Sequence, residues 1–568
     1  MHIKSGMLGW ICRFSLVAGL VALVGISPMF LPASARAFRF DYGDLQGSLD
    51  TTLSYGSMWR VTKADKNFIG ISNGGKSTNV NTDDGNQNYK KGLVSNVFKV
   101  TSDLDLAYEN FGVFFRGNAF YDIENEDGHR EREALGSDAK DLVGSDIDLL
   151  DAYVWAKADI FGMPMQIRVG DQVVSWGEST FFGNSINAIN PINVAAIRLP
   201  GAELKEAFIP EGMVWASIGL SENVSLEGFY LYDWSATVIE PRGSYFSNND
   251  ILSDDGSFLV AGMGDVPESA LRARIPRQND KNAGDDGQFG VALRVYAPGL
   301  HDTEFGFYYM NYHSRVPILS GIKGPALPPP YFIAPAMGGY FAEYPEDIQL
   351  LGLSAATEIG GFAVQGEVSH RLDMPLQIST PEVTKAVLGH PYAPSQIDST
   401  YAYGDVIHGF VECDVTQVQT TLTKLTGPVF GADSFLFVGE VAVNHVHNMP
   451  EKSELRLHVG AFPPKLSQYV YGDASSWGYQ VVTKLNYSAV IGTVNLAPRV
   501  VWRQDVNGNT PGPGGQFIEG RKAVTLGLGA DYRYNWSADL SYTNFFGAKY
   551  VNQMGDRDLV AFNLKYSF

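Results

Sequence analysis

The chain has 568 residues and a formal charge of −20, with 62 acidic against 42 basic side chains, which argues against nucleic acid as a partner. Its only cysteines are Cys12 and Cys413, and the first falls in a leader-like segment, so a disulfide framework is excluded as the source of stability.

Taken in order, Lys4 and Arg13 precede an apolar run from Phe14 to Leu31, followed by the small-residue stretch Ala33-Ser34-Ala35-Arg36-Ala37. This pattern is that of a secretory signal peptide over residues 1–37, cut after Ala37. No cysteine follows the cut, so a lipid anchor is not indicated. Beyond it no apolar run approaches the ~20 residues of a spanning helix. If residues 38–568 sit in a membrane, only a closed barrel satisfies their backbone there, and glycine at 61 residues with aromatics at 12% suits one.

Leu45 to Val61 reads as the first strand, with Leu45, Leu49, Leu53, Tyr55 and Trp59 alternating against Gln46, Ser48, Asp50, Ser54 and Arg60. A slip of one residue turns Asp50 and Arg60 to lipid, and an Arg at the midplane costs ~2–4 kcal/mol, which fixes the register. After a polar loop to Gly92, Phe98, Val100, Leu104, Leu106 and Tyr108 face out against Lys99, Thr101, Asp103 and Asp105, and the pattern restarts beyond a tight turn at Asn110. Short turn and long loop then alternate. Tight turns are expected at Phe161-Gly162, 221–223, 298–302, Gly360-Gly361, 427–433, 488–492 and Asn535. Long loops are expected at about 122–146, 175–210, 239–287, 315–347, 373–405, 447–475, 505–521 and 547–557. The count is about eighteen antiparallel transmembrane strands, with sixteen as the neighbouring alternative, giving an all-β barrel with short periplasmic turns and long extracellular loops. The last strand sets Val560, Phe562, Leu564, Tyr566 and Phe568 against Ala561, Asn563, Lys565 and Ser567. Its terminal aromatic resembles the signal by which the barrel assembly machinery takes up outer-membrane barrels. The implied surroundings are outer-membrane lipid and lipopolysaccharide.

The faces turned from lipid carry both signs of charge, among them Arg116, Arg168, Glu227, Arg294, Glu367, Arg371, Glu412, Asp414, Glu440, Lys484, Arg499, Arg503, Asp531 and Asp539. They suit a water-filled lumen, or an ion-paired interior that braces the wall. Arg499 and Arg503, on one face of one strand, are the pair expected to matter to a passing anion. The stretch from Ser175 to Pro210 holds Trp176, Glu178, Phe181, Phe182 and Arg198, with Asn187, Asn190 and Asn193 spaced three apart. It follows the fifth strand, and by analogy with general porins it is expected to fold inward and constrict the lumen, the alternative being an external cap. Residues 324–345, with Leu327, Tyr331, Phe332, Tyr340 and Tyr344, are unusually apolar for a loop and are expected to bind something apolar or to pack inward as a lid.

Enzyme chemistry is poorly supported. Gly70-Ile71-Ser72-Asn73-Gly74 spells a nucleophile elbow without the strand and helix it requires. His445 and His447 lack companion ligands, and Asn79, Asn81 and Asp83 start a calcium loop that Gly85 and the residues after it do not complete. No catalytic residue, metal or cofactor is expected, and Cys413 reads as a small lipid-facing residue.

Phe40-Asp41-Tyr42, the run Gly47-Ser48-Leu49-Asp50-Thr51-Thr52-Leu53-Ser54-Tyr55-Gly56 to Trp59-Arg60, and Gly170-Asp171-Gln172-Val173-Val174-Ser175-Trp176-Gly177-Glu178-Ser179 resemble the domain of unknown function 1302 family of large proteobacterial outer-membrane proteins. That resemblance implies a periplasmic carrier-like companion, an inner-membrane transporter of the resistance-nodulation-division type and the handling of hydrophobic compounds. It carries over no catalytic residue. The expectation is an outer-membrane barrel that moves hydrophobic or amphipathic small molecules, with a substrate-selective porin for small anionic solutes as the alternative and an outer-membrane enzyme further off.

Overall fold

In the computed structural model, which describes residues 38–325, 338–389, 394–397, 400–460 and 462–568, the chain winds into an eighteen-stranded antiparallel barrel. The first nine strands are β1 (Leu45–Arg60), β2 (Gly92–Tyr108), β3 (Phe111–Asp122), β4 (Ser145–Ile160), β5 (Met163–Gln172), β6 (Glu211–Ser221), β7 (Val224–Leu231), β8 (Phe289–Ala297) and β9 (Thr303–Tyr312). The second nine are β10 (Ile348–Ile359), β11 (Phe362–Gln377), β12 (Phe410–Thr426), β13 (Ser434–Val446), β14 (Ser475–Ile491), β15 (Val494–Asn507), β16 (Arg521–Tyr532), β17 (Trp536–Gly547) and β18 (Leu559–Ser567). Each pairs with its neighbours in sequence, and β1 closes the ring on β18 from Thr52↔Ser567 to Arg60↔Leu559. The expected signal peptide lies outside the described residues.

Closure leaves the β18-side edge of the lower half of β1 uncovered, because β18 ends before it. The short strand Phe38–Tyr42 folds back and pairs there with Leu45–Leu49. Phe568 completes the seam, its N–H donating to the Thr51 carbonyl at 2.9 Å while its own carbonyl accepts from the Thr51 N–H at 2.8 Å.

Alternation sets the two faces as the sequence requires. Leu226, Phe307, Leu351, Leu353, Val441 and Leu526 form part of the exposed outer belt, whereas Lys99, Glu367 and Glu440 are buried on the inner side. All tight turns lie at one rim. At Gly360 and Gly361 φ is +60° and +72°, the left-handed pair that a two-residue hairpin matched to strand twist demands and that glycine supplies without strain. β11 runs past the expected loop start at Asp373, through a register shift between Arg371 and Met374, and reaches Gln377.

The long loops pack together at the opposite rim. Ile251, Leu259 and Ile275 meet Leu319, Tyr340, Val383, Val387, Ile407 and Leu457 in one apolar cluster resting on Cys413, Val415 and Val446. Each such side chain, once buried, contributes roughly 1.5–3 kcal/mol, so these loops have a core of their own. Within it the helix Thr380–Leu388 presents Val383, Ala386 and Val387 on one face and stops at Gly389, where φ is +60°. Cys413 is 4% exposed in this cluster, which corrects the lipid-facing expectation. The top of β12 rises into the cap, where the apolar row Cys413 and Val415 turns inward and the row Glu412, Asp414 and Thr416 turns out.

Candidate functional site

The segment between β5 and β6 crosses the inside of the barrel in two limbs. Asn190 staples their base: its Oδ1 accepts the Val174 N–H at 2.9 Å, and its Nδ2 donates to the carbonyls of Gln172 and Ile209, both at 3.0 Å. The neighbouring asparagines have separate tasks. Asn187 donates to the Ser175 hydroxyl at 3.1 Å, and Asn193 caps the helical turn Val194–Arg198 by accepting the Ala196 N–H at 2.9 Å.

The first limb lies against β6–β10 and then reaches β11–β13. Trp176 is 1% exposed; its indole N–H donates to Glu227 at 3.0 Å and its ring packs at 5.0 Å from Phe229 and 5.8 Å from Tyr308. Ile186 and Ile189 extend the contact to Met213, Leu231, Met310, Ile348 and Leu350, an apolar stretch of inner wall. Farther on, two buried carboxylates take the limb's backbone. Glu367 accepts the N–H groups of Glu178 and, at 3.3 Å, Ile186. Glu440 accepts those of Thr180, Phe181 and Phe182 at 3.0, 2.5 and 3.0 Å. A carboxylate is the fitting partner, because several N–H groups converge on an acceptor that carries no proton of its own. Arg371 and Gln417 donate to the carbonyls of Ser185 and Gly183 at 2.6 and 2.9 Å. The Glu178 carboxylate accepts from Gln365 at 2.9 Å, and Phe182 packs 5.2 Å from Phe517, a residue of the loop after β15.

The returning limb is fastened to the far side of the ring. Glu206 pairs with Lys99 of β2, both buried, and accepts the Thr101 hydroxyl at 2.9 Å. Glu203 pairs with Lys565 of β18 at 2.8 Å, and Lys205 reaches Asp103 at 3.3 Å. Pro200 passes so close to β1 that a Cβ on Gly56 would sit 2.7 Å from it, so glycine is required there. Arg198 links the limb to the cap, pairing with Glu240 at 3.2 Å and lying 5.1 Å above the Phe246 ring.

Neither arginine of the expected anion pair stands unpaired. Arg499 makes a two-pronged contact with Asp539, one arm at 2.8 Å. Arg503 lies 5.0 Å over the Phe182 ring, donates to the Gln516 carbonyl at 3.1 Å and sits 3.5 Å from Asp505. Elsewhere the interior is braced in the same way: Arg116 joins Asp103 and Asp151 at 2.8 Å each, and Arg294 joins Glu227 and Glu304 at 3.1 and 3.0 Å. Tyr331 and Phe332 lie outside the described residues. Tyr340 is 2% exposed and donates to the Ile251 carbonyl at 3.0 Å. It is therefore cap core, the inward-packing alternative, because the strand Gly339–Glu343 turns it toward the cluster beneath. Ser72 sits in a single helical turn and donates to the Val266 carbonyl at 3.1 Å. Sequence reasoning placed Glu367 and Glu440 on the inner face but did not find their role, because backbone N–H acceptors leave no spacing pattern.

Among solved structures the chain is similar to OccAB1 of Acinetobacter baumannii, at 10% identity over 95% of this chain and 99% of that one, with a TM-score of 0.42. OccK2 (OpdF) of Pseudomonas aeruginosa in complex with glucuronate matches at 8% identity, 92% and 98% coverage and a TM-score of 0.39. OpdK of Pseudomonas aeruginosa with vanillate matches at 8%, 92%, 98% and 0.40. No curated protein matches the chain. The family described as "Protein of unknown function (DUF1302)" matches residues 18–568, and the chain belongs to it.

Proposed function

We propose that this is an outer-membrane channel for small amphipathic molecules, with its tight turns in the periplasm, its cap outside, and the 175–210 segment narrowing the lumen. One observation carries this reading: the segment is fastened to inner-facing side chains on opposite sides of the ring, Glu367 and Glu440 on one and Lys99 and Lys565 on the other. The walls it bridges support the substrate class. Beneath the first limb the inner face of β6–β10 is apolar, with Met213, Leu231, Met310, Ile348 and Leu350, while β11–β13 offer Gln417, Gln419 and Thr421. With the limb in place both surfaces are covered by it, so they line a path when it moves aside, and a path with one apolar and one polar wall suits a solute with one apolar and one polar side. The selective-anion alternative is weakened because Arg499 and Arg503 already have partners.

The test is removal of Phe181–Ala196 from the full chain, recorded in planar bilayers and in a vesicle uptake assay with an amphipathic and a small anionic solute. The expected result is a several-fold rise in conductance with the amphipathic solute still preferred over the small anion, because the apolar wall of β6–β10 is then open to it. Unchanged conductance in a heat-modifiable, folded barrel would refute the constriction.

A further inference from the structure

The cap contains a cluster of carboxylates that the channel reading leaves unused. Asp83 and Asp84 lie in the loop after β1 and Asp250 in the loop after β7. They are 0%, 1% and 4% exposed, and one oxygen from each lies within 4.8 Å of the others. Their charges are unequally matched. Asp84 is held by Arg132 at 2.7 Å and Arg242 at 2.8 Å. Asp83 accepts only neutral donors, the Gly70 N–H at 2.7 Å and the Asn73 amide at 3.0 Å. Asp250 accepts the Asp84 N–H on one oxygen at 3.3 Å, and its Oδ1 is buried with no hydrogen-bond partner. Among the described residues neither Asp83 nor Asp250 has a cationic side chain in ion-pair range.

Two buried carboxylates side by side, whose neighbouring cations Arg132 and Arg242 are already paired with Asp84, repel each other, and an orphaned charged oxygen forfeits its hydration. A positive charge between them removes both costs. We infer that Asp83, Asp84 and Asp250 form a calcium site that ties the loop after β1 to the loop after β7. The ligands are all hard oxygens, which suit Ca²⁺, Mg²⁺ or Mn²⁺ rather than the softer zinc and copper. Two oxygens bound to one Ca²⁺ at about 2.4 Å are at most about 4.8 Å apart, a limit that one oxygen from each of the three carboxylates meets. Mg²⁺ fits less well, because it retains several waters and these carboxylates are closed to solvent. Arg132 and Arg242 fix the Asp84 carboxylate in place, and the Asp250 N–H donates to the Asn81 carbonyl at 3.0 Å, which sets the third ligand's loop against the first.

The experiment uses the full mature chain folded in detergent free of lipopolysaccharide, stripped with chelator and dialysed against calcium chloride. Bound calcium is measured by elemental analysis, and cap integrity by limited trypsin digestion. The wild type is expected to hold one calcium per chain and to be cleaved more slowly in the loaded form. Asp250→Asn, which keeps the shape and removes the charge, is expected to lose binding by on the order of tenfold or more, while Asp265→Asn on the same loop binds as the wild type does. No calcium on the wild type at millimolar concentration overturns the site and leaves protons as the balancing charge. Equal binding by wild type and Asp250→Asn overturns its placement. Should Asp250→Asn fail to fold, the wild-type stoichiometry and the calcium-dependent protection decide alone.

Discussion

Replacing Glu440 with alanine tests how the inner segment is held. The side chain is 2% exposed and accepts three consecutive backbone N–H groups from Thr180 to Phe182. Orphaning a buried donor costs ~1–3 kcal/mol. Water entering the vacated space relieves part of this, so about 3 kcal/mol for the three together is the expected loss. What remains at this point is the contact of the Thr180 and Thr421 hydroxyls at 3.0 Å, the Gln419 amide on the Phe182 carbonyl at 3.3 Å, and the packing of the Phe182 ring on Phe517 and under Arg503. A loss of about 3 kcal/mol shifts the balance between fastened and released limb by roughly 100-fold. In single-channel recordings Glu440→Ala should open to a larger conductance far more often than the wild type, with Glu440→Gln, which keeps one acceptor oxygen, in between. A folded Glu440→Ala barrel whose conductance and opening frequency match the wild type would show that the carboxylate does not restrain the segment.

Glu206→Gln leaves Lys99 buried without its counter-ion, and because stranding one member of a buried pair costs ~3–5 kcal/mol, its urea unfolding midpoint should fall clearly below that of the wild type; an unchanged midpoint contradicts the tether. Deleting Phe568 removes both hydrogen bonds to Thr51 and the terminal aromatic, so heat-modifiable protein in the outer-membrane fraction should drop while export is unaffected, and normal levels would argue against the seam. His458, in the cap loop after β13, is driven down to about 4 by burial. Its folded value lies below the ordinary one, so the unfolded cap binds the extra proton, and cap stability should be full above about pH 6.5 and decline toward pH 4. The decline is at most about 3 kcal/mol, and less because the ring is only partly enclosed. His458→Gln should flatten that part of the pH profile of protease resistance, and a parallel profile would exclude this histidine as the cause.

The strand framework was legible because lipid on one side and water on the other impose a period of two that little else in a chain of this size produces. Leu49, Leu53 and Tyr55 against Asp50 and Ser54 already fix a face, and the long loops mark one rim. The cap was harder to see. Tyr340 read as part of either a binding surface or an inward lid and Cys413, from alternation with Glu412 and Asp414, as lipid-facing, and both are buried by partners far away in sequence, Ile251 beneath Tyr340 and Val446 beside Cys413. Alternation names a face but not what covers it, and above the membrane the covering is protein. The same limit hid the site. Asn187, Asn190 and Asn193 stood out by spacing, but their three separate tasks follow from where the limbs fold back. The partners of Arg499 and Arg503 depend on β15 lying beside β16 and on Phe182 arriving from across the barrel.

That arrival bears on how such a segment moves. The two limbs are held by different chemistry: the first by backbone groups on Glu367 and Glu440 and by apolar contact with β6–β10, the second by side-chain ion pairs to β2 and β18. Asn190 binds the base of both to the ends of β5 and the approach to β6. With the base clamped, the first limb can leave β11–β13 without disturbing the ion pairs of the second, since the two sets of contacts share no residue. If Trp176 and Ile186 then lift from β6–β10 as well, the apolar wall beneath them is uncovered, and that exposure is unfavourable in water. In the proposed channel an amphipathic solute lying on this wall would cover it again, so passage and release of the limb would favour each other, whereas a small hydrated anion would gain nothing from the same surface.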